Sequence, residues 1–318
     1  MFLTSLIAIL GLVVFEVVSS VDNAIVNAHV LKTMSAKWRK IFLFWGIIFA
    51  VFVVRGLVPL LVVWMSVPEI GLIGAFRAAF SGSSDFTQLI EERKGIILLG
   101  AGVFMALLYL HWLFLEKKDP FFVSDKLIKP QYGLWFFACA AVVLVMLLYL
   151  ARGSWHLMLS AAVGNAVFFI LHGFREQAAK QEEMLHGSNN NLSDFSKLMY
   201  LEVLDASFSF DGVFGAFAFT ASIPLILIGN GIGALVVREL TIKGIEKVSQ
   251  YKWLKNGAMT SIGLLGLIMI LKSFGVHIPE YLPTIFTIGL VGLTFWRSRQ
   301  FLKANGTLVE PEERIHSH

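Results

Sequence analysis

Residues 2–30 read FLTSLIAILGLVVFEVVSSVDNAIVNAHV, an apolar run that carries two carboxylates, Glu16 and Asp22, in its interior. A helix needs about 20 mostly apolar residues to cross a bilayer, so the run is long enough to span. It is a poor signal peptide: it has no basic leading segment and no small-residue cleavage site, and Glu16 interrupts the apolar part. Eight further runs extend the pattern, at 41–65, 95–115, 134–151, 155–173, 197–221, 222–238, 257–276 and 283–301. The expected fold is an all-α polytopic membrane bundle of about nine helices.

The composition agrees. Of 318 residues, 57% are hydrophobic and 15% charged, with a mean hydropathy of +0.74. Soluble domains average about 45–50% apolar and about 25% charged residues. A disordered chain, a nucleic-acid-binding domain and an ordinary soluble enzyme are therefore excluded. Cys139 is the single cysteine, so no intramolecular disulfide is available and a thiolate metal site is not expected.

The basic residues sort by loop. With the N-terminus outside, successive inner loops hold four, four, three, five and four Lys or Arg, against five in the outer loops, while Arg55 lies inside a span. Positive charge favours the cytoplasmic side, which sets the N-terminus outside and the C-terminus in the cytoplasm. Trp38, Trp64, Trp112, Trp135, Trp155, Trp253 and Trp296 fall near span ends, as an interfacial aromatic belt requires. The expected location is the plasma membrane, the inner membrane of a bacterium. Residues 66–94 and 116–133 read as outer and inner loops. Residues 174–196, with His186-Gly187-Ser188-Asn189-Asn190-Asn191, read as a cytoplasmic linker. The chain divides into an N-terminal half-bundle at 1–173, this linker, a C-terminal half-bundle at 197–302 and a flexible tail at 303–318.

Function is expected from the acids that remain in lipid. The first span contains Glu16-Val-Val-Ser-Ser20-Val-Asp22-Asn23, and the sixth contains Glu202-Val-Leu-Asp205-Ala-Ser-Phe-Ser209-Phe-Asp211-Gly212. Both give acid-x-x-x-Ser-x-Asp, with Glu16 matching Asp205, Ser20 matching Ser209, Asp22 matching Asp211 and Asn23 matching Gly212. Five spans apart, the two copies run in opposite directions, as in an inverted-topology repeat whose site lies near the midplane. One straight helix cannot aim Glu16 and Asp22 at one point, so breaks are expected near Ser20–Asn23 and near Ser209–Gly212. A buried acid costs about 2.5–3.5 kcal/mol on insertion scales, and five unpartnered acids on the order of 12–17 kcal/mol. One deep arginine cannot balance them. Their carboxylates, hydroxyls and amides are hard oxygen ligands that suit Mn²⁺, Ca²⁺ or Mg²⁺.

The expected metal site is therefore Glu16, Ser20, Asp22, Asn23, Glu202, Asp205, Ser209 and Asp211. Arg55 and Asn230 are candidate counter-ion or gate residues. Structural pairing between helices is the plain alternative for the acids, and snorkelling the plain alternative for Arg55. His111 reads best as interfacial, Asn165 and His172 in the fifth span are not expected to act directly, and Arg238-Glu239 reads as an interface anchor or gate. Gly229-Asn230-Gly231-Ile232-Gly233 reads best as close helix packing. His186, His316 and His318 read as inert.

At these motifs the chain resembles the TerC family, integral membrane proteins named for tellurium resistance. Glu16…Ser20-x-Asp22-Asn23 is similar to that family's first-span motif. Asp205…Ser209-x-Asp211 is similar to its later motif, although Gly212 departs from the usual residue there. The Phe-rich segment from Glu202 to Phe219 resembles a divergent branch known as a domain of unknown function. The resemblance implies Mn²⁺ export. Direct tellurite transport is disfavoured, because clustered carboxylates repel an oxyanion. The expectation is a divalent-cation transporter, not an enzyme, with no tightly bound cofactor and with proton exchange at some acids. Its partners are the lipid bilayer, the metal ion and a membrane-protein or second-copy neighbour, with no nucleic acid. A non-transporting scaffold that binds metal or a partner protein is the main rival. An intramembrane aspartyl hydrolase is a weaker one, since neither aspartate lies in a Gly-x-Gly-Asp setting.

Overall fold

The computed structural model describes residues 2–46, 48–49, 54–66, 71–81, 84–128, 133–187, 193–243 and 248–305. The described residues are helical throughout, with no strand among them. The helices are α1 (Phe2–Ser19), α2 (Val21–Lys32), α3 (Ala36–Ile41), α4 (Arg55–Ser66), α5 (Gly71–Ser81), α6 (Ser84–Leu115), α7 (Val123–Leu127), α8 (Leu134–Leu150), α9 (Trp155–Gly187), α10 (Asp194–Ala216), α11 (Ile223–Lys243), α12 (Leu254–Ser273) and α13 (Leu282–Asn305). A π-helical turn, Phe42–Gly46, follows α3.

Among the described residues, four helical segments are long and apolar enough to cross a membrane: Glu92–Leu115, Trp155–Gln177, Ile223–Ile242 and Leu254–Ser273. The α1–α2 pair makes a fifth if its two parts form one broken span. This is fewer than the nine expected, and the reasons are physical. Helix α8 has 17 residues, about 26 Å at 1.5 Å per residue, against a hydrocarbon core of about 30 Å. Helix α10 carries Glu202, Asp205 and Asp211 among its 23 residues. In the run at 41–65, the described part of the α4 side begins only near Arg55, and residues 47 and 50–53 lie outside the described residues. Two stretches read as loops are partly helical: α5 and the first turns of α6 occupy 71–94, and α9 runs on to Gly187 through the start of the expected linker. The tail from 306 lies outside the described residues.

The expected break recurs in one motif only. The axes of α1 and α2 differ by 50° at Ser20. The backbone hydrogen bonds Ser20 N to Glu16 O (3.1 Å) and Ala24 N to Ser20 O (2.9 Å) persist, so the chain is kinked there and not unwound. Ser19 donates its hydroxyl to Glu16 O at 3.3 Å, the serine back-bonding that bends helices. Helix α10 passes unbroken through Ser209–Gly212, contrary to expectation. Gly212 is there for proximity: a Cβ at that position would collide with Glu16 Oε2.

Small residues let the helices approach closely. Gly164 of α9 lies against the Gly100 backbone of α6, Gly102 of α6 faces Gly266 of α12, and Gly229 and Gly233 of α11 lie against Leu12 and Glu16 of α1. The reading of the 229–233 stretch as a packing surface therefore holds. Around α6 an aromatic core forms, with Phe104 4.7 Å from Phe214 and 6.0 Å from Phe168, centroid to centroid, and Trp112 fully buried. The outer faces remain apolar: only 17% of the Trp155–Gln177 segment is buried, and Leu134, Val142, Val145, Met146 and Leu150 of α8 are exposed. Apolar surface of this extent is what lipid covers.

Polar ties join segments read as inner loops. Ser35 N donates to Asp194 Oδ2 at 3.1 Å, and Lys197 Nζ to Thr33 O at 3.0 Å. The hydrogen bonds from Ser35 hold the Asp194 carboxyl below the usual carboxylate range. Lys252 pairs with Asp119 at 3.1 Å, and Asn256 donates to Asp119 O and Asp125 Oδ2 at 2.9 and 2.8 Å.

Gly164→Val should force α6 and α9 apart and destabilise the chain by about 1–3 kcal/mol, read as a lower thermal midpoint in detergent. Gly173→Ala, on the same helix with no atom within contact of an added Cβ, should leave the midpoint unchanged or higher.

Candidate functional site

Helix α1 brings Glu16 to the centre of the bundle, where it is fully buried. Lipid and protein offer little solvation there, so the carboxylate must find a donor. Arg55, the first residue of α4, supplies it: Nη2 lies 2.6 Å from Glu16 Oε1, and the arginine is itself buried. Ser20, one turn along, donates its hydroxyl to the same oxygen at 3.0 Å. Arg55 and Glu16 are thus ion-paired in the interior.

Beside this pair, Asn23 of α2 donates its side-chain amide to Asp205 Oδ1 of α10 at 2.5 Å. Ser20, Asn23, Asn27, Arg55 and Asp205 line one cavity of about 40 Å³, together with Ala234, Val237, Arg238 and Thr241 of α11 and with Phe42 and Leu43. One water needs about 10–15 Å³ by this kind of measure, so the space suits a few waters or a partly hydrated ion. The first acids of the two motifs, Glu16 and Asp205, thus meet around Arg55.

The second acids go elsewhere. Asp22 pairs with Lys255 of α12 at 2.7 Å, and Lys255 also lies 2.7 Å from Glu116. Asp211 pairs with Arg175 of α9 at 2.7 Å; the same guanidinium donates to Ser207 O at 2.6 Å and lies over the Phe208 ring. Glu202 stands apart against the π-helical turn, where a Cβ on Gly46 would collide with it. Ser209 donates to its own helix at Asp205 O (2.8 Å) and not to a carboxylate. Asn230, fully buried on α11, donates to Gly212 O at 3.3 Å.

The eight residues expected around one metal therefore divide. Glu16, Ser20, Asn23 and Asp205 come together; Asp22, Glu202, Ser209 and Asp211 do not join them. Among the described residues, no group of three or more His, Cys, Asp or Glu side chains is placed to hold a metal ion. The expectation that Arg55 is the one base available to the buried acids is also corrected, since Arg175 and Lys255 pair with Asp211 and Asp22. Both bases were assigned to loops because the apolar runs stop at 173 and start at 257. The helical period itself crosses those boundaries: Arg175 lies one turn beyond His172, and Lys255 opens α12.

Several buried polar atoms here have no partner among protein groups: the acceptors Glu16 Oε2, Asn23 Oδ1, Asn27 Oδ1 and Asn230 Oδ1, and the donors Arg55 Nε and Arg238 Nε. Buried polar groups normally find partners. Water complements both kinds, and a hard cation complements the oxygens.

The family described as "Protein of unknown function (DUF475)" matches residues 21–304. An uncharacterized membrane protein of Bacillus subtilis (strain 168), YceF, is 26% identical over 100 residues, a stretch that is 31% of this chain and 39% of that protein. The chain thus spans well under two thirds of that relative. No solved structure matches. The spanning helices and their exposed apolar faces make the chain an integral membrane protein in contact with the lipid bilayer.

Arg55→Met should cost about 3–5 kcal/mol, because it strands the Glu16 carboxylate in the interior. Adding Glu16→Gln to that variant should recover most of the loss. Denaturant or thermal unfolding of the three chains in detergent checks both expectations.

Proposed function

Given that the chain belongs to the DUF475 family of proteins of unknown function, we propose that it moves divalent metal cations across the membrane, with Mn²⁺ export as the specific case. One observation carries this reading: the cavity between the acidic motifs is lined by Asp205, Asn23, Asn27 and Ser20, and the side-chain oxygens of Asn23 and Asn27 are buried there without a hydrogen-bond donor from the protein. Mn²⁺, Mg²⁺ and Ca²⁺ take such oxygens together with retained water. The resemblance of both motifs to the TerC family points the same way.

The chemistry follows from charge. Glu16 and Asp205 would hold the cation, with Asn23, Asn27 and Ser20 completing its shell. Arg55 occupies the same carboxylate and acts as a tethered competitor. When the metal enters, the guanidinium swings from Glu16 Oε1; when it leaves, Arg55 returns, and the carboxylate is never bare in a medium of low dielectric. Asp22 and Asp211, with Lys255 and Arg175, would form the next stations toward the inner side, released by the same exchange of internal base for cargo. In this reading the two motifs belong to inverted repeats, the N-terminus lies outside and the C-terminus in the cytoplasm of a bacterial inner membrane.

A second reading has its own observation. Glu16, Asp22 and Asp211 each have a basic partner, which is also how a sealed structural scaffold would neutralise its acids. Flux decides between the two. In proteoliposomes the wild-type chain should carry Mn²⁺ down its gradient, and Asp205→Asn or Glu16→Gln should lower the rate at least tenfold while the protein stays folded. Flux that survives both substitutions would remove these carboxylates from the path, and absence of flux in the wild type would favour the scaffold.

A further inference from the structure

His111 of α6 and His172 of α9 lie side by side at the end of the bundle where Glu116 and Lys255 meet. Their ring centroids are 4.0 Å apart, with the planes at 56°. Phe136 of α8 stands against His111 at 5.5 Å, and Phe168 stacks parallel to His172 at 5.8 Å. The cation site does not use either imidazole. Yet the pair sits between the second acids of both motifs. On one side, His111 Nδ1 is 3.8 Å from Glu116, and Glu116 shares Lys255 with Asp22. On the other, Arg175 follows His172 by one helical turn and holds Asp211.

We propose that His111 and His172 form a proton-binding site that takes up one proton and transmits its charge to the carboxylates of both acidic motifs. Imidazole is the side chain whose charge changes near neutral pH. Two imidazoles at this separation, walled by phenylalanine rings, cannot both be charged without strong repulsion, so the pair takes up its first proton well before its second. The charged groups that face it are Glu116 just past the end of α6, Arg175 and Glu176 on α9 and Lys255 on α12; α8 contributes the Phe136 ring.

The sign of the coupling follows from these neighbours. A proton on the pair attracts Glu116 and so draws it from Lys255. Lys255 then serves Asp22 alone and holds it more firmly. Loss of the proton returns Glu116 to Lys255 and loosens the hold on Asp22. Proton binding thus favours the internally neutralised acids, and proton release favours acids open to a cation. For this exchange sense the proposal rests on the cation-transport reading; the proton site itself does not.

The test is histidine-selective ¹⁵N NMR of the full chain in lipid nanodiscs from about pH 8 to about pH 4, with His111→Asn and His172→Asn for assignment. The pair should titrate in two steps separated by about one pH unit or more, and each single variant should show one step. If either variant fails to fold, the corresponding Gln variant replaces it, and the wild-type separation still decides. Two imidazoles with one shared midpoint, unchanged in the single variants, would overturn the proposal. A second arm reads function: with a pH dye inside proteoliposomes, Mn²⁺ flux should drive a proton counter-flow that the double variant mostly loses. Counter-flow at the wild-type level in the double variant would overturn the coupling. If the wild type moves no Mn²⁺, the transport reading fails, and the NMR titration still decides the proton site.

Discussion

The Glu16–Arg55 pair organises the centre of this bundle. A carboxylate at that depth is costly, and an unpaired guanidinium is no cheaper, so each requires the other within hydrogen-bond reach. The 2.6 Å contact ties the start of α4 to the last turn of α1. With α1 so placed, Ser20 can reach the same oxygen, and the kink at Ser20 turns α2 until Asn23 meets Asp205 of α10. Three separate stretches of chain are thus held by one cluster of charge.

Close backbone approach makes that cluster compact. Gly212 and Gly233 sit directly against the Glu16 side chain, and Asn230 spans from α11 to the Gly212 carbonyl. A larger residue at either glycine would push a helix away from the carboxylate and admit lipid or water. The same logic of small residues recurs at Gly100–Gly164 and Gly102–Gly266, where α6 meets its neighbours. Packing and electrostatics therefore depend on each other: the ion pair needs a dry centre, and the dry centre needs helices without side chains at the crossing points.

Neutralisation is arranged with bases that each come from another element: Arg55 for Glu16, Lys255 for Asp22, Arg175 for Asp211. Such pairs can be permanent struts or exchangeable partners. Unpartnered acceptors, Asn23 Oδ1 and Asn27 Oδ1, and unpartnered donors, Arg55 Nε and Arg238 Nε, line the same cavity, so its polar groups are not all committed to struts. The histidine pair adds a titratable element between two of these ion pairs, so that one proton could bias both.

Much was legible in the residues alone. Apolar runs of spanning length, read against the cost of charge in lipid, determined an all-helical membrane protein and singled out Glu16, Asp205 and Arg55, which do meet. The same rule did not mark the helix ends, because apolarity marks where a helix is dry and not where it ends; α9 continues well past its last apolar turn. It also could not allot partners. Lys255 and Arg175 are ordinary loop-end bases in one dimension, and only the fold, which sets the start of α12 near α2 and packs α9 on α10, brings them to Asp22 and Asp211. Which acids share a site is decided by helix crossings many residues apart, which no local period encodes. The residue types determined that the buried charges must be balanced; the tertiary structure alone decided by which base each one is balanced.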